Sequence, residues 1–125
     1  MKEFLLVCLG GGIGTGARYA VGKLAVAAGW STFPIGTILI NALGSLLLAT
    51  IAVASLRTQR VPEAVVLMLT TGVMGGFTTY STFNLETLHL IQQGRPGSAA
   101  LNVTITIVAC LGAGVAGIYL GNRLP

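Results

Sequence analysis

Four apolar runs, residues 4–27, 34–56, 63–91 and 98–120, take up almost the whole of this 125-residue chain. Wound as helices rising about 1.5 Å per residue, each is long enough to cross the ~30 Å hydrocarbon core of a bilayer. The connections, 29–33, 57–62 and 92–97, are short, and each carries Pro, Gly or charge, so they read as turns. No room is left for a soluble domain, and residues 1–125 form a single four-helix transmembrane unit. An all-α membrane fold follows, because in lipid a backbone must satisfy its own polar groups and helices do so. Only 8% of the residues are charged, against roughly 25% in an ordinary soluble domain.

The basic residues are scattered, without the cluster or stripe that nucleic-acid binding requires. Cys8 and Cys110 each sit inside an apolar run with no CxxC or metal spacing, and read as small apolar side chains. The start, MKEFLLVCLGGG, is not read as a signal peptide: its apolar core is short, it breaks into Gly10, Gly11 and Gly12, and no polar segment follows. The chain is therefore expected to remain unprocessed. Residues 12–17, GIGTGA, match a dinucleotide-binding spacing, but no strand precedes them and the match carries no weight.

The third run departs from a plain span. Within LTTGVMGGFTTYSTFNLE, residues 69–86, Gly72, Gly75 and Gly76 stand beside Thr78, Thr79, Ser81 and Thr82, followed by Phe83 and the carboxylate of Glu86. Such residues weaken a regular helix, and an opened backbone at membrane depth survives only if protein or a water-filled path covers it. The stretch predicts a third helix broken near its middle, centred on the paired glycines, with carbonyls and hydroxyls free for an ion.

Polar residues in the other spans form stripes. Thr37, Asn41 and Ser45 recur every fourth residue with Gly44 beside them, and Asn102 and Thr106 are four apart while Thr104 points elsewhere. Thr79, Thr82, Phe83 and Glu86 share a face beyond the break. Any one of these can be a hydrogen bond between helices; three stripes together point to a lined path. The path offers hydroxyl and amide donors. Arg18, toward a span end, is either a snorkelling anchor or a guanidinium drawing anions inward. Glu86 is the single carboxylate deep in a span, and His89 reads as an ordinary side chain near the span end.

Gly10 with Gly14, Gly12 with Gly16, and Ala113 with Gly117 and Gly121 are small residues spaced by four, which let helix backbones touch. They serve either packing inside one subunit or a dimer interface. Orientation is balanced: Lys2, Arg57, Arg60 and Arg123 fall on one side, Arg18, Lys23 and Arg95 on the other. The positive-inside rule needs a clear bias to choose. Either other features set the topology, or the chain inserts both ways and pairs head to tail.

Residues 71–86, TGVMGGFTTYSTFNLE, resemble the TGxxGGxTTFSTFxxE signature of the Fluc/CrcB fluoride channels. GTILIN at 36–41 is similar to their GTLxVN segment, and GTGARY at 14–19 to their GAxxRY. The resemblance implies a fluoride-selective channel in the cell (inner) membrane, exporting fluoride passively as an antiparallel dual-topology homodimer with two pores. Asn41 would be the pore-lining amide, and Tyr80 and Phe83 the aromatic-box positions, with Tyr80 standing where Phe is usual. Thr37, Thr82 and Glu86 would belong to the polar track, Arg18 would lie near the vestibule, and Asn102 and Thr106 would line the fourth span. A structural sodium ion at the dimer centre would be held by the backbone carbonyls of Gly75 and Thr78. The alternative is a small proton-coupled multidrug exporter, whose working carboxylate lies in the first span, where this chain has only Glu3. An enzyme is disfavoured, since no nucleophile–base pair or metal cluster occurs.

Overall fold

The computed structural model describes residues 1–124, and it is all-helical. Helix α1 spans Lys2–Ala27 and α2 spans Ile35–Thr58. The third membrane crossing is made of pieces: α3 (Glu63–Leu67), a π-helical stretch (Met68–Met74), α4 (Gly75–Phe77) and α5 (Tyr80–Gln92). The last helix, α6, spans Pro96–Gly121. All four crossings are long and apolar enough to span a bilayer, as a multi-pass membrane protein requires.

The turns end helices by local chemistry. After α1, Gly29 takes φ +82°, and after α5, Gly94 takes φ +71°, a left-handed conformation that costs glycine little. Helix α6 then opens with Pro96, which lacks the N–H that the first turn would leave unpaired. Helix α2 ends on Gln59, which adopts φ 48° and returns its N–H to Ser55 O.

Two close helix pairs make the core. Helix α2 lies along α6, where a Cβ at Gly117 would strike Leu46 O and one at Gly121 would come 2.8 Å from Thr50 O. Helix α1 lies on the first half of the third crossing, where a Cβ at Gly10 would come 2.6 Å from Met68 O and one at Gly14 would land on Val73 O. The glycine pairs of α1 therefore separate. Gly10 and Gly14 pack inside the subunit, whereas a Cβ at Gly12 or Gly16 meets nothing within 4 Å among the described residues.

The third helix is broken, but not at the paired glycines. Gly75 is helical, with φ −62° and ψ −38°, and Gly76 continues the turn. The chain opens at Thr78 (φ −76°, ψ 158°) and Thr79 (φ −152°, ψ 114°). The reason is packing: Gly76 is small because a Cβ there would come 2.5 Å from Gly11 O of α1. The interruption itself is made from outside the helix, by a side chain of α2.

Candidate functional site

That side chain is Asn41. In a continued helix the Thr79 N–H would donate to Gly75 O, four residues back. Instead it donates to Asn41 Oδ1 at 2.7 Å, while Asn41 Nδ2 donates to Thr79 O at 3.0 Å. This two-way pair is buried, with Asn41 only 9% exposed. Thr78 N–H closes the last turn on Met74 O at 3.0 Å, and the Thr78 methyl fills the space left by the absent side chain of Gly44. Thr79 then starts α5 as its cap, its Oγ1 accepting from the Thr82 N–H at 3.3 Å and donating to Thr82 Oγ1 at 3.0 Å.

Beside the break lies a cavity of about 350 Å³, lined by Asn41, Ser45, Thr79, Tyr80, Phe83 and Thr106 among others. The Tyr80 and Phe83 rings sit 5.8 Å apart at 50° on its flank, and Tyr80 is 79% exposed on the isolated chain. A second cavity, about 290 Å³, opens at the end of the bundle that carries the α1–α2 loop. Trp30, Ser31, Thr32, Glu86, His89 and Gln93 are part of its wall.

Thr37 stands between the two. It lies one turn from Asn41 along α2 and donates to Glu86 Oε1 at 2.9 Å. Ser45, a turn away on the other side, donates to Asn41 O at 2.7 Å. The stripe Thr37, Asn41, Ser45 thus runs from the carboxylate of the second cavity, the outer one at the bundle's end, to the first, the inner one beside the break. Glu86 Oε2 is buried and has no hydrogen-bond partner among the described residues.

Of the remaining expected site residues, one borders a cavity. Thr106 lines the inner cavity, and its hydroxyl lies 3.5 Å from Asn102 Oδ1. Asn102 is fully buried and lines neither cavity; its Nδ2 donates to Thr87 Oγ1 at 2.9 Å, tying α6 to α5. Thr82 is exposed on the isolated chain, and Arg18, half-buried on α1, lines neither cavity. Thr87 and Thr32 carry no expected role in the sequence, and half-buried Cys110, read there as a small apolar side chain, borders the inner cavity. Thr87 had a signal, being the hydroxyl next to Glu86 on a different helix face.

Replacing Asn102 with Leu leaves the Thr87 hydroxyl without this partner and forces a larger apolar group into a filled site. The expected cost is about 1–3 kcal/mol, visible as a lower melting temperature in detergent. An unchanged melting temperature contradicts the tie.

Residues 5–118 match the model of the family described as CrcB-like protein, Camphor Resistance (CrcB). The chain belongs to the CrcB-like family. A relative from Anaeromyxobacter sp. (strain K), named fluoride-specific ion channel FluC, is 52% identical over 120 residues, covering 96% of this chain and 95% of its own. Relatives of the same name from Sorangium cellulosum and Geobacter sulfurreducens are 41% and 38% identical over 124 residues, covering 99% of this chain and 98% and 100% of theirs. Both cavities and the break lie within the stretch matched to the CrcB-like family.

Proposed function

We propose that this chain forms a fluoride channel that lets the anion leave the cell passively. The observation that carries the reading is the Asn41–Thr79 pair, which opens a membrane helix beside a cavity whose largely apolar wall carries neutral donors. The relatives' name points the same way. A small, strongly hydrated anion entering such a cavity exchanges water for hydrogen-bond donors. Asn41 has two N–H groups, and one is used on Thr79 O. The second is available to an anion, as are the hydroxyls of Ser45 and Thr106 when they turn from their present acceptors. Phe83 adds an aromatic edge, the electropositive part of the ring. The track runs outer cavity, Thr37, Asn41, inner cavity, and a lining free of fixed positive charge allows the ion to leave as readily as it enters. Thr82, Arg18 and Asn102 belong to this track on the resemblance alone.

The unit works as an antiparallel homodimer. Support comes from the open face at Gly12 and Gly16, from the exposure of Tyr80 and Thr82, and from the balance of basic residues between the two ends. Replacing both Gly12 and Gly16 with Leu is expected to leave the subunit folded and to shift it from dimer to monomer in light scattering. A double variant that stays dimeric removes this face from the interface.

A sodium ion fits the same break. The Thr79 N–H that would occupy Gly75 O is taken by Asn41, Thr78 leaves the helix with its carbonyl beyond the last turn, and helix C-termini favour cations. Gly75 and Thr78 carbonyls would hold the ion, which would fix the two subunits' broken helices against each other. Among the described residues no cluster of three His, Cys, Asp or Glu side chains could hold a metal.

Efflux from liposomes loaded with fluoride, or with a cationic dye, distinguishes the channel from a proton-coupled exporter. The channel releases fluoride down its own gradient with equal pH inside and out, and retains the dye. Transport that needs a pH difference, or release of the dye, overturns the reading.

A further inference from the structure

The loop that walls the outer cavity is bonded to a cation from a distant part of the sequence. Arg95, in the turn between α5 and α6, donates from Nη1 to Thr32 O at 3.0 Å, across 63 residues of chain. Thr32 lies in the α1–α2 loop and lines the outer cavity beside Trp30 and Ser31. The turn that carries Arg95 is itself anchored: its N–H donates to Leu90 O at 2.9 Å, and its C=O accepts from Ala99 N–H at 3.1 Å. The guanidinium therefore joins a fixed turn to the loop that walls the cavity.

The charges around that cavity are few. Helix α5 contributes the titratable side chains Glu86 and His89 to the wall; the lining from α1, the α1–α2 loop and the start of α2 carries no charged side chain. An anion entering here meets a carboxylate with one oxygen unpartnered among the described residues. When ionised, that carboxylate repels it. Arg95 supplies the opposite sign on the loop that walls the cavity. Only one of its five N–H donors is used on Thr32, and the planar fork leaves the others directed away from that bond.

We propose that Arg95 is a positioning and recruiting residue of the anion path: it holds the α1–α2 loop as the vestibule wall and offsets Glu86 for the arriving anion. This rests on the channel reading given above. The role that the sequence left open for Arg18, drawing anions inward, then falls to Arg95, the cation tied to the cavity's own wall.

Fluoride efflux from liposomes at two ionic strengths, set with an impermeant salt, tests it. With R95Q the efflux rate is expected to fall about three- to fivefold near 10 mM, where charges act over roughly 30 Å, and to approach the parent's near 1 M, where they act over roughly 3 Å. R95K keeps the charge and is expected to retain the parent's salt response. Gln93→Glu, which adds a carboxylate to the same wall and leaves the Arg95 bond intact, is expected to reproduce the salt-dependent deficit, and it carries the test if R95Q does not fold. A deficit that is the same at both ionic strengths reduces Arg95 to a structural tie and overturns recruitment; rates equal to the parent's overturn both roles. Parent protein that passes no fluoride sinks the channel reading instead, a result distinct from a conducting parent with a flat Arg95 response.

Discussion

Asn41→Asp is expected to stop fluoride efflux from liposomes while leaving a protein that still elutes as a folded species. Asn41 does two things that aspartate cannot do together. Its Oδ1 accepts the Thr79 N–H, which a carboxylate also does, but its Nδ2 donates to Thr79 O at 3.0 Å. In the variant an acceptor faces that carbonyl, and the spare donor toward the cavity is gone. An anion passing a carboxylate at about 4 Å is opposed by about 4 kcal/mol at an effective dielectric near 20, a factor of about 10³ in rate. Electrode traces should then be indistinguishable from empty liposomes. Flux within tenfold of the parent removes Asn41 from the path. Asn41→Ala differs instructively: it adds no charge but leaves the buried Thr79 N–H and C=O unpaired, at about 1–3 kcal/mol for each group, so its loss should appear in stability as well as in flux.

Gly14→Ala is the second large effect, and it acts on the fold. An added Cβ would land on Val73 O and come 2.9 Å from Phe77 N, both backbone atoms of the third crossing. Neither can rotate away as a side-chain tip would, so α1 must lift from the helix it supports. The cost belongs at the upper end for overpacking, about 3 kcal/mol, and reaches the break directly because Phe77 precedes Thr78. The expected result is a melting temperature in detergent lower by many degrees, with aggregated protein on elution. Gly16→Ala, two residues on, meets no described atom within 4 Å, and should leave the subunit's stability within about 0.5 kcal/mol. Similar melting temperatures for the two variants contradict the assignment of these glycines to different partners.

The contrast between Gly14 and Gly16 also marks how far the sequence reaches. Hydropathy and turn chemistry are local, so the four crossings, their loops and the Pro and Gly at their ends were legible, and the observed ends fall close to those expected. That the third helix opens was legible too, from hydroxyls and glycines crowded into one span. Where it opens was not, because glycine serves both bending and close approach. Gly76 lies against Gly11 of α1 and stays helical, while Thr78 and Thr79, which are not glycines, take the extended conformation. Only the partner on α2 decides this, and a spacing of four residues from Thr37 to Asn41 does not reveal what the amide faces. The stripes were readable as stripes, yet their contents separate by depth: Asn41 and Thr106 border the inner cavity, while Asn102 turns toward Thr87 and ties two helices. The Arg95–Thr32 bond, between turns far apart in the chain, left no mark on the sequence, which showed only a basic residue in a loop.

Fluoride conduction by this chain requires that the opened third helix and the donors beside it pass a small anion stripped of its water. Paired fluoride and chloride electrodes on liposomes holding the purified protein, with efflux started by a potassium ionophore, test this most directly. The expected record is prompt release of fluoride with chloride retained. Release of both ions alike, or of neither, contradicts it.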